Sequence, residues 1–446
     1  MSTQTTTHTE AASQPKLKFQ LADLNNNAKI EKFLEPVAND DYARAVDLIK
    51  SRLPHMSQIA ALFCVNLGPL QPDLLIDSRS TPATLQTAPG PPPTTDAYLS
   101  VRPNMVPRFA RGEMEARYAL NFGHILIHSG STRIGVKFLD ALSPFAARTT
   151  HPKLSTLDLS SLPKPTTSVP QVKADLDRWG YGLVADALTP SELSALRTRL
   201  SEQAAGEAAA TVAFHDGGDT KPNQRIWCLP NKGACFNELL DTNRVIDDFV
   251  FDFCGDDAIL FSYTANIVRP GNAPMHMHTD QLSIQPPIRD VAVGLNLMYF
   301  LEDVSADNGG TYIMPGSHKG EFAPDDPYRH EEVVCAEGKA GTCLVFESRL
   351  WHATGRNVRG EGERPVLLAF FVRSWMRQAE QFVLSVRDEV VQGASDRVKG
   401  FMGWRCTGLV GGVQGKWKDG AIVRRPVGDE VVGVLGGEDR SLGDGV

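Results

Sequence analysis

From residue 257 onward the chain is a succession of short apolar runs, AILFSYTANIV, VAVGLNLMYFLE, GTYIMPG, GTCLVFE and PVLLAFFVRSW, each cut off by Gly, Asn, Asp or Pro. Runs of this length, rich in β-branched and aromatic residues and bounded by turn formers, are strands. Strands that follow one another so closely can bury their faces only by stacking as a sandwich or closing into a barrel. The stretch just before them, KADLDRWGYGLVADALTPSELSALRTRLSEQAA, predicts a helix, a strand and a second helix. Thr189 caps that second helix, Pro190 occupies its first turn and Glu192 stands where a capping box needs an acid. The expectation is a β-rich unit with helices packed outside.

At 446 residues the chain is too long for one average domain. A Ser/Thr/Pro-rich stretch, 144–168, has the composition of a linker and divides it. Ahead of it a polar tail, 1–25, has no apolar pattern and reads as disordered. Residues 26–143 then show a helical pattern around DYARAVDLIKSRLP, strand-like AYLSV and NFGHILIHSG, and a closing helix, TRIGVKFLDAL. This reads as a small α+β domain, with 169–446 as the second, β-rich one.

Charge excludes several partners. With 45 basic against 53 acidic side chains and no Lys/Arg run, nothing attracts a polyanion, so nucleic acid and anionic membrane are not expected partners. Seven scattered cysteines with no CxxC pair fit a reducing, cytoplasmic setting. No apolar run reaches the ~20 residues of a membrane span. Self-association as a homodimer is left open.

The chemistry concentrates in PMHMHTDQ, residues 274–281. It follows a strand that ends at Pro270-Gly271, so it sits where a strand meets a loop. On extended backbone, residues i and i+2 share a face. Two histidines and one carboxylate on one side of a metal need an HxD pair plus a distant His. His278 and Asp280 supply the pair; His276 carries no acid at that spacing and is a neighbour. The distant partner is His352, at the end of GTCLVFESRLWHATGRN, where a later strand can return beside the first. Arg364 opens the next strand and could grip a carboxylate in a bidentate pair, with Arg356 and Arg359 competing for that role.

These residues carry a family resemblance. HTDQ, then LEDVSADNGGTYIMPGSHKG, then LVFESRLWHATGRN, then an arginine opening a strand, resemble in that order the motifs of the phytanoyl-CoA dioxygenase family of iron- and 2-oxoglutarate-dependent oxygenases, over about 170–380. The resemblance implies a double-stranded β-helix, or jelly roll, with flanking helices. It implies Fe(II) held by His278, Asp280 and His352, with 2-oxoglutarate held by Arg364 and dioxygen as the oxidant. Thr311 and Arg225 would touch the same co-substrate, and Gln281 would line the substrate mouth. Ser317 and His318 read as turn residues, Trp351 and Phe371 as core.

A fainter resemblance covers about 40–143, which looks like a sterol-carrier (SCP2-type) domain with an apolar tunnel; His124 and His128, four apart in a strand, read as structural. Together these readings expect an enzyme of secondary metabolism that oxidises an unactivated C–H of a small apolar metabolite or acyl group, by hydroxylation, desaturation or cyclisation. The alternative is a non-catalytic lipid- or metabolite-binding protein that keeps the barrel.

Overall fold

The structure is a computed structural model, and it describes residue 33 and residues 35–404 except 58, 145–152, 289, 320–323 and 325–326, together with 415–418 and 421–424. The tail 1–25 lies outside the described residues. The chain divides into two compact units, Met1–Ala147 and Arg148–Val446.

The first unit opens with helix α1 (Asn39–Arg52), whose acidic first turn and basic last turn suit the helix dipole. Strands β1 (Leu62–Asn66), β2 (Asp73–Asp77), β3 (Thr84–Ala88), β4 (Ala97–Val101) and β5 (Ile125–Gly130) form one mixed sheet in the order β3-β2-β1-β4-β5. The β1–β4 pair is parallel and the other pairs antiparallel. Helix α2 (Thr132–Leu142) closes the unit, its first turn capped by Ser131. Phe63, Val65, Leu74, Ile76, Leu99 and Phe138 gather in one apolar core with α1 and α2. The strands β1 to β3 had not been singled out from sequence. The two histidines do not share a strand either: His124 sits in the turn before β5, and His128 Nε2 lies 2.7 Å from Ser100 Oγ.

In the second unit α3 (Val169–Trp179), β6 (Tyr181–Val184) and α4 (Pro190–Ala209) follow as the sequence predicts. The capping box at Thr189 forms in full, Glu192 N–H donating to Thr189 Oγ1 and Thr189 N–H to Glu192 Oε2. Such a cap contributes about 1 kcal/mol. The Ser/Thr/Pro stretch does not hang free over its whole length. From 153 it packs on this unit: Leu157 and Leu162 lie against its core, Trp179 Nε1–H donates to the Ser161 carbonyl, and Thr166 bridges Val184.

The seven-stranded sheet runs β6-β13-β10-β15-β9-β8-β7, with β7 (Phe214–Asp216), β8 (Asn223–Ile226), β9 (Ile259–Val268), β10 (Gly294–Phe300), β13 (Cys343–Glu347) and β15 (Arg364–Val372). Facing it is a small sheet of β12 (Val334–Ala336), β11 (Thr311–Ile313) and β14 (His352–Thr354), which residue 278 extends by bridging His352. Along the chain the strands from β9 to β15 pass back and forth between the two sheets, which is the jelly-roll path. β10 is buried at every position because both of its faces are covered. Leu295, Leu297 and Tyr299 meet the helices on one side, while Met298 and Phe300 fill the space between the sheets on the other. The alternate residues of β8, β9, β10 and β15 therefore form the inner wall on which a site can be built. Among the described residues no helix is long and apolar enough to cross a membrane.

Candidate metal centre

Residues 275–278 run antiparallel to β14, and His278 and His352 exchange both backbone hydrogen bonds, each 2.9 Å. A separation of 74 positions in sequence thus becomes direct opposition across a strand pair, with the imidazole centroids 4.4 Å apart. Thr279 is still extended, and Asp280 then starts a short 3-10 turn, which brings its carboxylate back toward both rings. Asp280 Oδ1 lies 3.8 Å from His278 Nε2 and Oδ2 lies 3.7 Å from His352 Nε2. One ligand atom from each of the three fits within 4.8 Å of the others, and this trio is the metal-type cluster among the described residues.

The electrostatics suit a cation. His278 Nδ1–H donates to the His276 carbonyl at 3.1 Å and His352 Nδ1–H to the Leu350 carbonyl at 3.0 Å. Both rings thereby present a bare Nε2 to the trio. Burial pushes the imidazoles down, to about 3 for His278, where His352 adds to the effect, and to about 4 for His352. Both are neutral lone-pair donors at physiological pH. Burial raises the Asp280 carboxyl, the penalty of a desolvated anion that a metal would remove. Two imidazoles and one carboxylate on one side match the donor set of a non-haem Fe(II) centre. His276 takes part through its backbone carbonyl, while its own ring packs at the rim 5.7 Å from Tyr328.

Arg364 is 1 % exposed, directly opposite Val268 of β9 on the inner wall. Its Nη2 donates to the Gly309 carbonyl, its Nε has no partner, and burial lowers its pKa to about 10. Asn308 and Gly309 explain the NGG motif. The Asn308 side chain ties the loop to Ser305 N–H and the Asp303 carbonyl, and Gly309, at φ +87°, turns its carbonyl onto the guanidinium. A Cβ at Gly309 would meet Val268 at 2.7 Å. Arg359 instead lies at the surface, paired with Asp307 at 2.9 Å.

Thr311 is buried on β11 and its hydroxyl reaches Met298 Sδ at 3.3 Å. Arg225, on β8 opposite Asn266, pairs loosely with Asp216 at 3.7 Å, and its charge is felt by both Asp280 and Arg364. Gln281 is not at a mouth. Its amide is spent inside, accepting from Val293 N–H and Ser348 Oγ–H while donating to the Ile288 and Val291 carbonyls. Ser317 Oγ accepts from Trp351 N–H beside His352, and buried His318 bonds the Asp177 carbonyl. Phe371 is core, as expected. Two inner-wall residues escaped sequence reasoning: Asn296, whose amide donates to Asp280, and Asn266. Each is a lone amide at an alternate position of an otherwise apolar strand, which is the signal that could have found them.

Residues 176–366 match the model of the family described as phytanoyl-CoA dioxygenase. The dioxygenase af480 of Aspergillus fumigatus is 28 % identical over 276 residues, 61 % of this chain and 89 % of the relative. The dioxygenase sphC, also of Aspergillus fumigatus, is 28 % identical over 247 residues, 51 % of this chain and 65 % of its own. Among solved structures, the non-haem alpha-ketoglutarate-dependent epimerase SnoN from nogalamycin biosynthesis covers 46 % of this chain and 83 % of its own at a TM-score of 0.38 and 20 % identity. With the match lying across the jelly roll and the donor set fitting iron, the chain is a dioxygenase that uses iron and 2-oxoglutarate, and its residues 176–366 are similar to the phytanoyl-CoA dioxygenase family.

Proposed function

We propose that His278, Asp280 and His352 hold the iron, that Arg364 pairs with the far carboxylate of 2-oxoglutarate, and that the enzyme hydroxylates an unactivated C–H of a small apolar metabolite or acyl group. The observation that carries this is the buried guanidinium of Arg364, with an unpaired Nε, on the inner wall of the large sheet facing the small sheet that carries His278 and His352. A lone buried cation is costly, and an anionic ligand removes the cost. The bound iron supplies dioxygen activation coupled to oxidation of 2-oxoglutarate to succinate and carbon dioxide.

The chain's own residues do the rest. The His276 and Leu350 carbonyls fix the tautomers, so neither imidazole must shed a proton to bind metal. Arg364 orients the co-substrate by a charge-assisted bond from a rigid strand. Thr311 offers a hydroxyl on the facing sheet, and Arg225 offers a second positive charge between trio and arginine. Phe346, 4.7 Å from the His352 ring, walls off the metal side from water. Exposed Phe214 and Trp227, in edge contact beside Arg225, give the open end an apolar rim and favour an apolar substrate. The first unit we read, on its resemblance, as an SCP2-like carrier that keeps such a substrate close to the enzyme.

The test is anaerobic loading with Fe(II) followed by oxygen uptake. One iron per chain, and uptake with succinate formation only when 2-oxoglutarate is present, are expected. Uptake that ignores 2-oxoglutarate, or His278→Ala with full iron, would sink the residue assignment. Mass spectrometry of apolar metabolites incubated with the loaded enzyme identifies the substrate by a gain of one oxygen.

A further inference from the structure

Asp280 has two oxygens, and the protein treats them differently. Both lie near an imidazole, Oδ1 3.8 Å from His278 Nε2 and Oδ2 3.7 Å from His352 Nε2, but Oδ2 also accepts a 2.5 Å hydrogen bond from Asn296 Nδ2. Asn296 is 3 % exposed at the centre of β10, with Phe346 and Phe370 as its direct cross-strand partners. Hydrogen-bonded strands on both sides fix its backbone, and the two aromatic rings confine its side chain. Its amide cannot turn over without setting its own oxygen against a carboxylate.

We propose that Asn296 is a positioning residue that occupies Oδ2 and so makes Asp280 a one-oxygen ligand. The proposal rests on the assignment of Asp280 as an iron ligand above. Its chemical reason is a count of positions. Two imidazoles and one carboxylate oxygen use three sites of an octahedral ion and leave three. A 2-oxo acid that chelates through its keto and carboxylate oxygens takes two of these, and dioxygen needs the third. If both Asp280 oxygens bound, only two sites would remain, and chelation would compete with oxygen. An amide that served only to satisfy a buried polar group could sit anywhere on the wall; this one is spent on one of the two oxygens of the metal carboxylate.

The experiment uses the full chain under anaerobic conditions, wild type against Asn296→Leu and Asn296→Ala. Fe(II) is titrated first, then 2-oxoglutarate, with the visible charge-transfer band of the chelated 2-oxo acid as the readout. The expected result is iron affinity within about threefold of wild type, a weakened or shifted band, and 2-oxoglutarate binding weaker by about tenfold or more, the loss of one hydrogen bond to a charged group. Variants that bind iron and give the wild-type band and affinity overturn the proposal. Should neither variant fold, a crystal structure of the wild type with Fe(II) and 2-oxoglutarate decides: Asp280 bound through one oxygen with Asn296 on the other supports it, and two bound oxygens, or Asn296 turned away, overturn it. Wild-type protein that takes up no iron overturns the ligand assignment itself, which separates that failure from this one.

Discussion

Replacing Arg364 by Met removes the charge and keeps most of the volume, and it should split two properties that usually move together. In the protein without co-substrate, the guanidinium is 1 % exposed with a single bond, to the Gly309 carbonyl, and an unpaired Nε. Exchanging an uncompensated buried charge for an apolar chain of similar size is neutral or stabilising, so the melting temperature of the co-substrate-free protein should hold or rise. In the complex, the carboxylate of 2-oxoglutarate loses its partner in a desolvated site. Truncating one side of a buried charge pair costs roughly 2–5 kcal/mol, which is about 30-fold to several thousand-fold in affinity. The assay is anaerobic calorimetric titration of the Fe(II)-loaded protein with 2-oxoglutarate, alongside thermal unfolding without it. Arg359→Ala is the control. Its side chain is 45 % exposed and bonds Asp307 at the surface, so its loss should leave stability nearly unchanged and 2-oxoglutarate binding untouched. If Arg364→Met binds 2-oxoglutarate as well as wild type, or Arg359→Ala shows the loss instead, the assignment of the buried arginine is wrong.

Three further outcomes follow from the geometry. His278→Ala should lose stoichiometric Fe(II), whereas His276→Ala should keep most of it because that residue contributes a backbone carbonyl; equal loss by metal analysis would contradict this. Burial lowers the pKa of His318 from its ordinary 6.5 to about 4, so below 6.5 the unfolded chain takes up the proton first and stability is lost as the pH falls toward 4. Denaturant titrations should show that His318→Gln loses less stability than wild type over this window, and an unchanged slope would refute it. Finally, a chain beginning at 148 should be more stable than one beginning at 169. The second removes half-buried Leu157 and Leu162 and the Thr166 bridge, roughly 2–3 kcal/mol of packing, and equal denaturation midpoints would argue against that anchoring.

What could be read in the sequence was what local rules write. The capping box at Thr189 to Glu192 needs only its own first turn, and it formed as expected. The five runs from AILFSYTANIV to PVLLAFFVRSW became β9, β10, β11, β13 and β15 because a strand buried on both faces is apolar at nearly every position. The HxD pair at His278 and Asp280 was legible from its spacing, although the 3-10 turn that Asp280 starts, rather than extended backbone, is what turns the carboxylate toward the rings. The strands missed were short or polar, such as β8 in NQRI and β14 in HAT, which gain their pairing from neighbours rather than from composition.

Tertiary structure decided everything that depends on register. Only antiparallel pairing sets His352 opposite His278, and only the inward parity of β15 buries Arg364 while Arg359, five residues earlier, stays in water. Strand parity on β10 likewise aims Asn296 at Asp280, while loop packing makes Gln281 an anchor and seats part of an apparent linker on the core. A one-residue slip in any of these strands would move each side chain to the other face of the sheet. The residue types a site needs are therefore written along the chain, but which of them meet is fixed by hydrogen-bond pairing between segments that the sequence keeps far apart.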